Sequence, residues 1–167
     1  ASTGFTDEDG DAMTYTMSGA PSTLSMSTAG VITGTPVNAD VGAHTITVTA
    51  SDATATGTDS FVLTVTNVND APTISSTAVT AATEDAAYSY TVTGADNDGD
   101  TLTMVGTDVP GWMAFDTATG ALTGTPGDAD IGDHAVVITV SDASESVTDS
   151  FTISAANVND APAGSSV

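Results

Sequence analysis

The sequence predicts an all-β protein made of two tandem β-sandwich domains, the first lacking its N-terminal strand. Three observations carry this expectation. The chain repeats itself at an offset of about 90 residues, apolar and polar residues alternate over short stretches, and Gly, Pro, Asn and Asp interrupt those stretches at short intervals.

The repeat is read by aligning the chain with itself. Gly34-Thr35-Pro36 matches Gly124-Thr125-Pro126, Gly42-Ala43-His44 matches Gly132-Asp133-His134, and Thr58-Asp59-Ser60-Phe61 matches Thr148-Asp149-Ser150-Phe151, all at an offset of 90. Upstream, Asp7-Glu8-Asp9-Gly10-Asp11 matches Asp96-Asn97-Asp98-Gly99-Asp100 at an offset of 89, which places one inserted residue in the second copy near Asp116 to Ala118. The hexapeptide NVNDAP closes each copy, at Asn67 to Pro72 and at Asn157 to Pro162. The expected domains are therefore residues 1–72 and 73–162, with residues 163–167 as the start of a further repeat or a donated strand.

Within each copy the apolar period is 2. His44, Ile46 and Val48 alternate with threonines, as do Leu63 and Val65 after Phe61. In the second copy Tyr88, Tyr90 and Val92 and then Phe151 and Ile153 follow the same rule. This is the signature of strands with one buried face, and no stretch carries a helical apolar stripe. Some seven short strands in about 90 residues have the size and rhythm of an immunoglobulin-like Greek-key sandwich. The second copy opens with an edge-strand candidate, Thr73 to Thr80, and a strand, Tyr88 to Val92. The first has only Ala1 to Thr6 ahead of its acidic loop and so lacks about one and a half strands. Either an array has been cut out of phase with its repeats, or the missing strand comes from a neighbour, which would satisfy an open sheet edge and link copies head to tail.

Charge narrows the function. The chain has 22 acidic residues and no Lys or Arg, for a net charge of −22. Its carboxylates can be neutralised only by protons, screening salt or bound cations. Nucleic acid and anionic membranes are excluded as partners, because both require basic residues. With no cysteine there is neither a disulfide nor a thiolate metal site. The apolar runs are too short to span a bilayer, and the first ten residues lack the features of a signal peptide, so a soluble piece of something longer is expected. One His per copy, no Lys, Arg or Cys and no G-x-S-x-G elbow leave catalysis without its parts, and the chain is not expected to be an enzyme.

Calcium is the cation these residues suit. It takes six to eight oxygen ligands, and Asp96-Asn97-Asp98-Gly99-Asp100 places carboxylates at alternate positions around a glycine that lets them converge. Unpaired, such carboxylates would repel one another and raise each other's pKa.

The run from Val109 to Pro126, VPGWMAFDTATGALTGTP, resembles the signature of cadherin-like, dystroglycan-type domains and of the putative Ig repeats of large bacterial extracellular adhesins. NVNDAP resembles the calcium-binding linker of cadherins. The resemblance implies an extracellular or cell-surface tandem-repeat structural unit, stiffened by calcium, whose partners are neighbouring copies of the repeat in a head-to-tail array or fibre. It also implies an alternative, a carbohydrate-binding module that contacts cell-surface polysaccharide through exposed aromatics such as Trp112, Tyr88 or Tyr90, although Trp112 occupies a position where the family commonly fills its core. Carried over from the cadherin pattern, Asp96 and Asp98 match its DxD loop, Asp142 its later single Asp, and Asn69 and Asp70 its linker core, with Asp100 beside them. Asn38 and Asp40 match acids from the end of a preceding domain, completing one cluster at the middle junction. Glu84, Asp85, Asp128, Asp130, Asn159 and Asp160 prepare a half-site for a following unit, and Asp7, Asp9 and Asp52 one for a preceding unit. Asn67 stands where cadherins have Asp, Ala71 where they have Asn, and Asn38 where the second copy has Asp128. Fewer or weaker ions are therefore expected at the middle junction.

Overall fold

The computed structural model describes residues 4–52 and 54–162. The segment expected to begin a further repeat, 163–167, lies outside the described residues. Among the described residues the structure is all-β apart from two single 3-10 turns, and the chain forms two compact units, Ala1–Val68 and Asn69–Val167. The division falls inside NVNDAP, four residues before the expected boundary, because Asn69 and Asp70 are hydrogen bonded to side chains of the second unit.

The first unit contains β1 (Thr14–Ser18), β2 (Leu24–Met26), β3 (Ile32–Gly34), a 3-10 turn at Asn38–Asp40, β4 (Gly42–Ser51) and β5 (Thr56–Val65). β1, β4 and β5 form one antiparallel sheet and β2 and β3 a ribbon. The second contains β6 (Thr73–Ile74), β7 (Ala81–Thr83), β8 (Tyr88–Thr91), β9 (Gly94–Ala95), β10 (Thr103–Asp108), β11 (Met113–Asp116), β12 (Ala121–Gly124), a turn at Asp128–Asp130, β13 (Gly132–Ser141) and β14 (Ser146–Ala156). Its main sheet has the order β10-β13-β14-β7. It is joined by the sheet β11-β12-β8 and the ribbon β6-β9.

Alternation decides which residues face inward. In β13, Val136, Ile138 and Val140 are completely buried, and β12 and β14 add Leu122 and Ile153. Each such side chain contributes about 1.5–3 kcal/mol of apolar burial. Tyr90 stands edge-on to Phe151 at 5.6 Å, closing the same core from β8. Gly120 makes the β11–β12 turn possible: its φ is +71°, and a Cβ there would lie 2.5 Å from the Val92 carbonyl.

The strand registers repeat as the sequence does. Tyr15 faces Ala50 as Met104 faces Val140, and Met26 faces Ile32 as Phe115 faces Leu122. The offset changes from 89 to 90 between the strands of this last pair, so the inserted residue lies in the β11–β12 turn. There Asp116 Oδ1 accepts the Ala118 N–H at 2.8 Å.

The leading segment departs from expectation. Thr73 to Thr80 is not one edge strand: Thr73–Ile74 pairs with β9, and the chain then crosses to place Ala81–Thr83 parallel to β14. The second unit thus gains a strand on each sheet, β7 on one and β8 on the other, and among the described residues the first unit has neither. Its core is accordingly more open. Ile32 and Leu63, which correspond to the fully buried Leu122 and Ile153, are only half-buried, and Phe61 is 38% exposed.

Truncating equivalent phenylalanines should expose this difference. Phe151→Ala is expected to cost about 3 kcal/mol in the second unit and Phe61→Ala about 1 kcal/mol or less in the first. Trp112 is the single tryptophan, so in urea unfolding its fluorescence transition should move for Phe151→Ala and stay in place for Phe61→Ala.

Candidate metal centres

The acidic loop 96–100 joins β9 to β10. Gly99, at φ +78°, lets it turn back on itself, and Asp96 Oδ1 accepts the N–H groups of Asp98 at 2.8 Å and Asp100 at 3.1 Å. The result is that carboxylate oxygens of Asp96, Asp98 and Asp100 all lie within 4.8 Å of one another. The linker residues close over this loop. Asp70 donates its N–H to Asp98 Oδ2 at 2.6 Å and accepts Asn97 Nδ2 at 3.0 Å, while Asn69 Nδ2 donates to Asp142 Oδ2 at 3.1 Å and Glu145 Oε2 at 3.3 Å. N–H groups of Glu145 and then Ser144, with Asn69 adding less, hold the Asp142 carboxyl below its usual range. Asp96 Oδ2 is buried and has no hydrogen-bond partner.

A second cluster is assembled from three distant segments. Glu84, just after β7, is 2% exposed, and its carboxylate gathers with those of Asp128 and Asp160 within 4.8 Å. One oxygen, Oε2, accepts the Val158 N–H at 2.8 Å and Asn157 Nδ2 at 3.3 Å; the other, Oε1, is buried without a donor. The Val158 N–H pulls the Glu84 pKa down, but the facing Asp128 carboxyl, burial and the charge of Asp160 together raise it above its ordinary value. Around the cluster, Asp85 adopts φ +57° and donates its N–H to the Pro126 carbonyl at 2.9 Å, and Asp130 Oδ2 accepts the Gly127 N–H at 3.0 Å. Asn159 Nδ2 donates to the Asp160 carbonyl at 3.2 Å, as Asn69 does to that of Asp70 at 3.3 Å, so this local contact recurs in both NVNDAP copies.

The first unit keeps the local turns without the clusters. Asp7 Oδ1 accepts the N–H groups of Asp9 at 3.0 Å and Asp11 at 2.9 Å, as Asp96 does in its own loop. Asp52 Oδ1 takes the N–H groups of Ala55 and Thr54 and the Thr54 hydroxyl, which lowers its pKa to about 2. Asp40 lies in the same 3-10 turn as Asn38, and its Oδ2 accepts the Thr23 hydroxyl at 2.6 Å and the Val37 N–H at 3.0 Å. Among the described residues, metal-competent groups of three acids occur only in the second unit.

His44 and His134 pin these turns, each placing Nε2 2.6 Å from the carbonyl of Asp40 or Asp130. Trp112 packs edge-on against Tyr88 at 6.1 Å and His134 at 5.7 Å. Tyr88 and Tyr90, each 5% exposed, belong to the core, and Trp112 is partly buried against it. Three cluster residues are new relative to the sequence reading: Asn97, Glu145 and Asn157. Asn157 was open to recognition as the first residue of the second NVNDAP. Glu145 carries no such mark, because it reaches Asn69 only through the fold.

A family model described as Putative Ig domain matches residues 1–66 and 71–156. The chain belongs to that family. Its Ig-like architecture is shared with human protocadherin-24 EC1-2, to which it is 14% identical over 92% of this chain and 86% of that one, with a TM-score of 0.52. It is also similar to an endo-fucoidan hydrolase from glycoside hydrolase family 107, at 27% identity, 90% coverage of this chain and a TM-score of 0.49. The Ig-domain chain spans 24% of that hydrolase. No curated protein matches it.

The donor set of both clusters is oxygen alone, and each contains a buried carboxylate oxygen that no N–H or O–H reaches. That combination fits a hard divalent cation such as calcium. The pH behaviour of Asp52 follows from its hydrogen bonds. Its folded pKa is lowered, so it adds stability above about pH 3.8 and loses it as the pH falls toward 2. Asp52→Ala should therefore lower the melting temperature of the first unit at pH 7, and the difference from the parent chain should shrink between pH 4 and pH 2.

Proposed function

We propose that this Ig-domain chain is an extracellular, non-enzymatic structural unit of a cell-surface adhesin or fibre, and that bound calcium makes it stiff. Its partners are neighbouring copies of the same repeat, joined head to tail in one polypeptide or by strand donation. The observation that carries the calcium reading is the buried Glu84 carboxylate, whose Oε1 has no donor and which gathers with those of Asp128 and Asp160 in a chain without a single Lys or Arg. Leaving a buried charge uncompensated costs several kcal/mol. Bound calcium would supply the missing positive charge.

The arrangement of the linkers supports stiffening. Asn69 and Asp70 are tied to the Asp96 loop and Asp142, and Asn157 and Val158 are tied to Glu84. Each NVNDAP is thus attached to the acids that would hold the ion, so binding would tighten the segment through which one repeat leads to the next. Asp96, Asp98, Asp100 and Asp70 would serve one site, and Glu84, Asp128 and Asp160 the other.

Among the described residues no helix is long and apolar enough to cross a membrane. Of the aromatics the carbohydrate-binding alternative would use, Tyr88 and Tyr90 are buried in the core and Trp112 is partly buried against it.

Small-angle scattering and thermal unfolding, each run with calcium and then with chelator, test the proposal. Calcium at about 100 times its Kd should add roughly 2.7 kcal/mol to the stability of the binding unit and change the maximum dimension of the chain. Glu84→Gln and Asp128→Asn should each remove a large part of the thermal shift. An unchanged dimension together with an unchanged melting temperature would refute calcium stiffening.

A further inference from the structure

The outer face of the β1-β4-β5 sheet carries hydroxyls and no charge. In β4 the buried residues Ile46, Val48 and Ala50 alternate with Thr45, Thr47 and Thr49, so the threonines point away from the core. Register extends the pattern across the sheet. Thr16 and Thr58 stand on either side of Thr49, and Ser18 and Ser60 on either side of Thr47. The row at Ser51 is again hydroxyl on all three strands, and toward the other end Thr45 faces Val62. Thr47 Oγ1 and Ser60 Oγ share a hydrogen bond at 2.9 Å, so hydroxyls of adjacent strands lie within reach of one another. Asp59, the only acid in the three strands, stands opposite Val48 and hence on the other side of β5. Tyr15 and Phe61, opposite Ala50 and Ile46, are turned to that inner side too. The second unit repeats two of these rows, Thr103-Ser141-Ser146 and Val105-Thr139-Thr148, with Asp108 and Asp133 farther along.

We propose that this face is a side-to-side docking surface, and that its occupant is the same face of a second copy of the chain. Charge selects the occupant. Two chains of net charge −22 repel one another wherever their acids meet, and the contact least opposed is one from which both have removed them. A charged partner of either sign would find nothing to pair with on the face, and a sugar ring would find no aromatic on which to stack. A second copy matches it chemically. Each hydroxyl both donates and accepts, so identical faces can satisfy one another without a fixed polarity. The threonine methyls and Val62 supply apolar surface between the hydroxyls, and two such sheets stack about 10 Å apart with their strands within about 30°.

Strand and row spacings give the face an area on the order of 400 Å², about half of the roughly 800 Å² per partner of a stable complex. One pair of faces therefore binds weakly, and repetition along a chain of units makes the contact strong. That repetition rests on the proposed array. The contact itself rests neither on the array nor on calcium.

The test displays the full two-unit chain on beads and follows their clustering in chelator as sodium chloride is raised from about 0.01 to 1 M, which shortens the reach of the acidic charge. The parent beads are expected to cluster as salt rises. Thr16→Glu with Thr58→Glu, at exposed positions in one row, should raise the surface density needed for clustering at least tenfold. Thr45→Glu, in a different row, should do so independently. Thr28→Glu with Ala29→Glu, which adds the same charge in the β2–β3 turn, should cluster as the parent does. Circular dichroism establishes that each chain is folded. Parent beads that stay dispersed at every salt concentration would overturn the proposal, as would clustering that survives the substitutions on the face. Clustering that appears only with calcium would also overturn it, since the contact would then lie at the acidic loops; calcium stiffening is judged separately by scattering.

Discussion

The carboxylates in this protein must be stabilised without Lys or Arg, because the sequence contains neither. That constraint organises the loops. Asp7, Asp52, Asp96, Asp116 and Asp142 each accept backbone N–H groups from the residues that follow them, so the turns of both units are built on aspartate. In the 3-10 turns Asp40 and Asp130 instead accept the N–H groups of Val37 and Gly127, three residues before them, and the two histidines hold those turns to the strands behind them. Backbone donors run out where several carboxylates crowd together. Those are the places, around Asp96 and Glu84, where buried oxygens are left without a partner.

The two units act as an internal comparison. They share strand registers, the aspartate turns and the histidine pins, yet differ in whether β7 and β8 are present. One segment thus has two separable effects. It seals the core with Tyr88 and Tyr90, and it carries Glu84 into contact with Asp128. Among the described residues of the first unit no strand covers the corresponding side, and an apolar groove lined by Leu24, Ile32, Ile46, Phe61 and Leu63 lies open there. Trp112 shows the same coupling on a smaller scale: it packs on Tyr88 in the second unit, whereas Thr23 at its position in the first turns its hydroxyl to Asp40.

Much of this was legible in the sequence because it is local. The period-2 alternation of β4, β13 and β14 fixes their inward faces, and the fixed offset predicts the repetition of both architecture and register. The spacing of Asp96, Asp98 and Asp100 around a glycine marks a converging loop, and that loop forms. What local pattern cannot say is which sheet an edge segment joins. Thr73 to Thr80 is a candidate for one edge strand, but only Thr73–Ile74 pairs, with β9, and the ladder with β14 begins after it at Ala81. The Glu84 cluster was reachable only through family resemblance, since its three acids come from segments far apart in the chain. Glu145 was missed because its contact with Asn69 exists only after folding.

The parallel pairing of β7 with β14 has a mechanical meaning. β7 lies near the start of the second unit and β14 near its end, and they run side by side in the same direction through Ala81–Thr83 and Ser154–Ala156. When the chain is pulled from both sides, tension drags these neighbours in opposite directions along their common axis. Their hydrogen bonds are then loaded in shear and must yield together, rather than peeling apart one at a time. A repeat built in this way resists extension at the point where β7 and β14 meet.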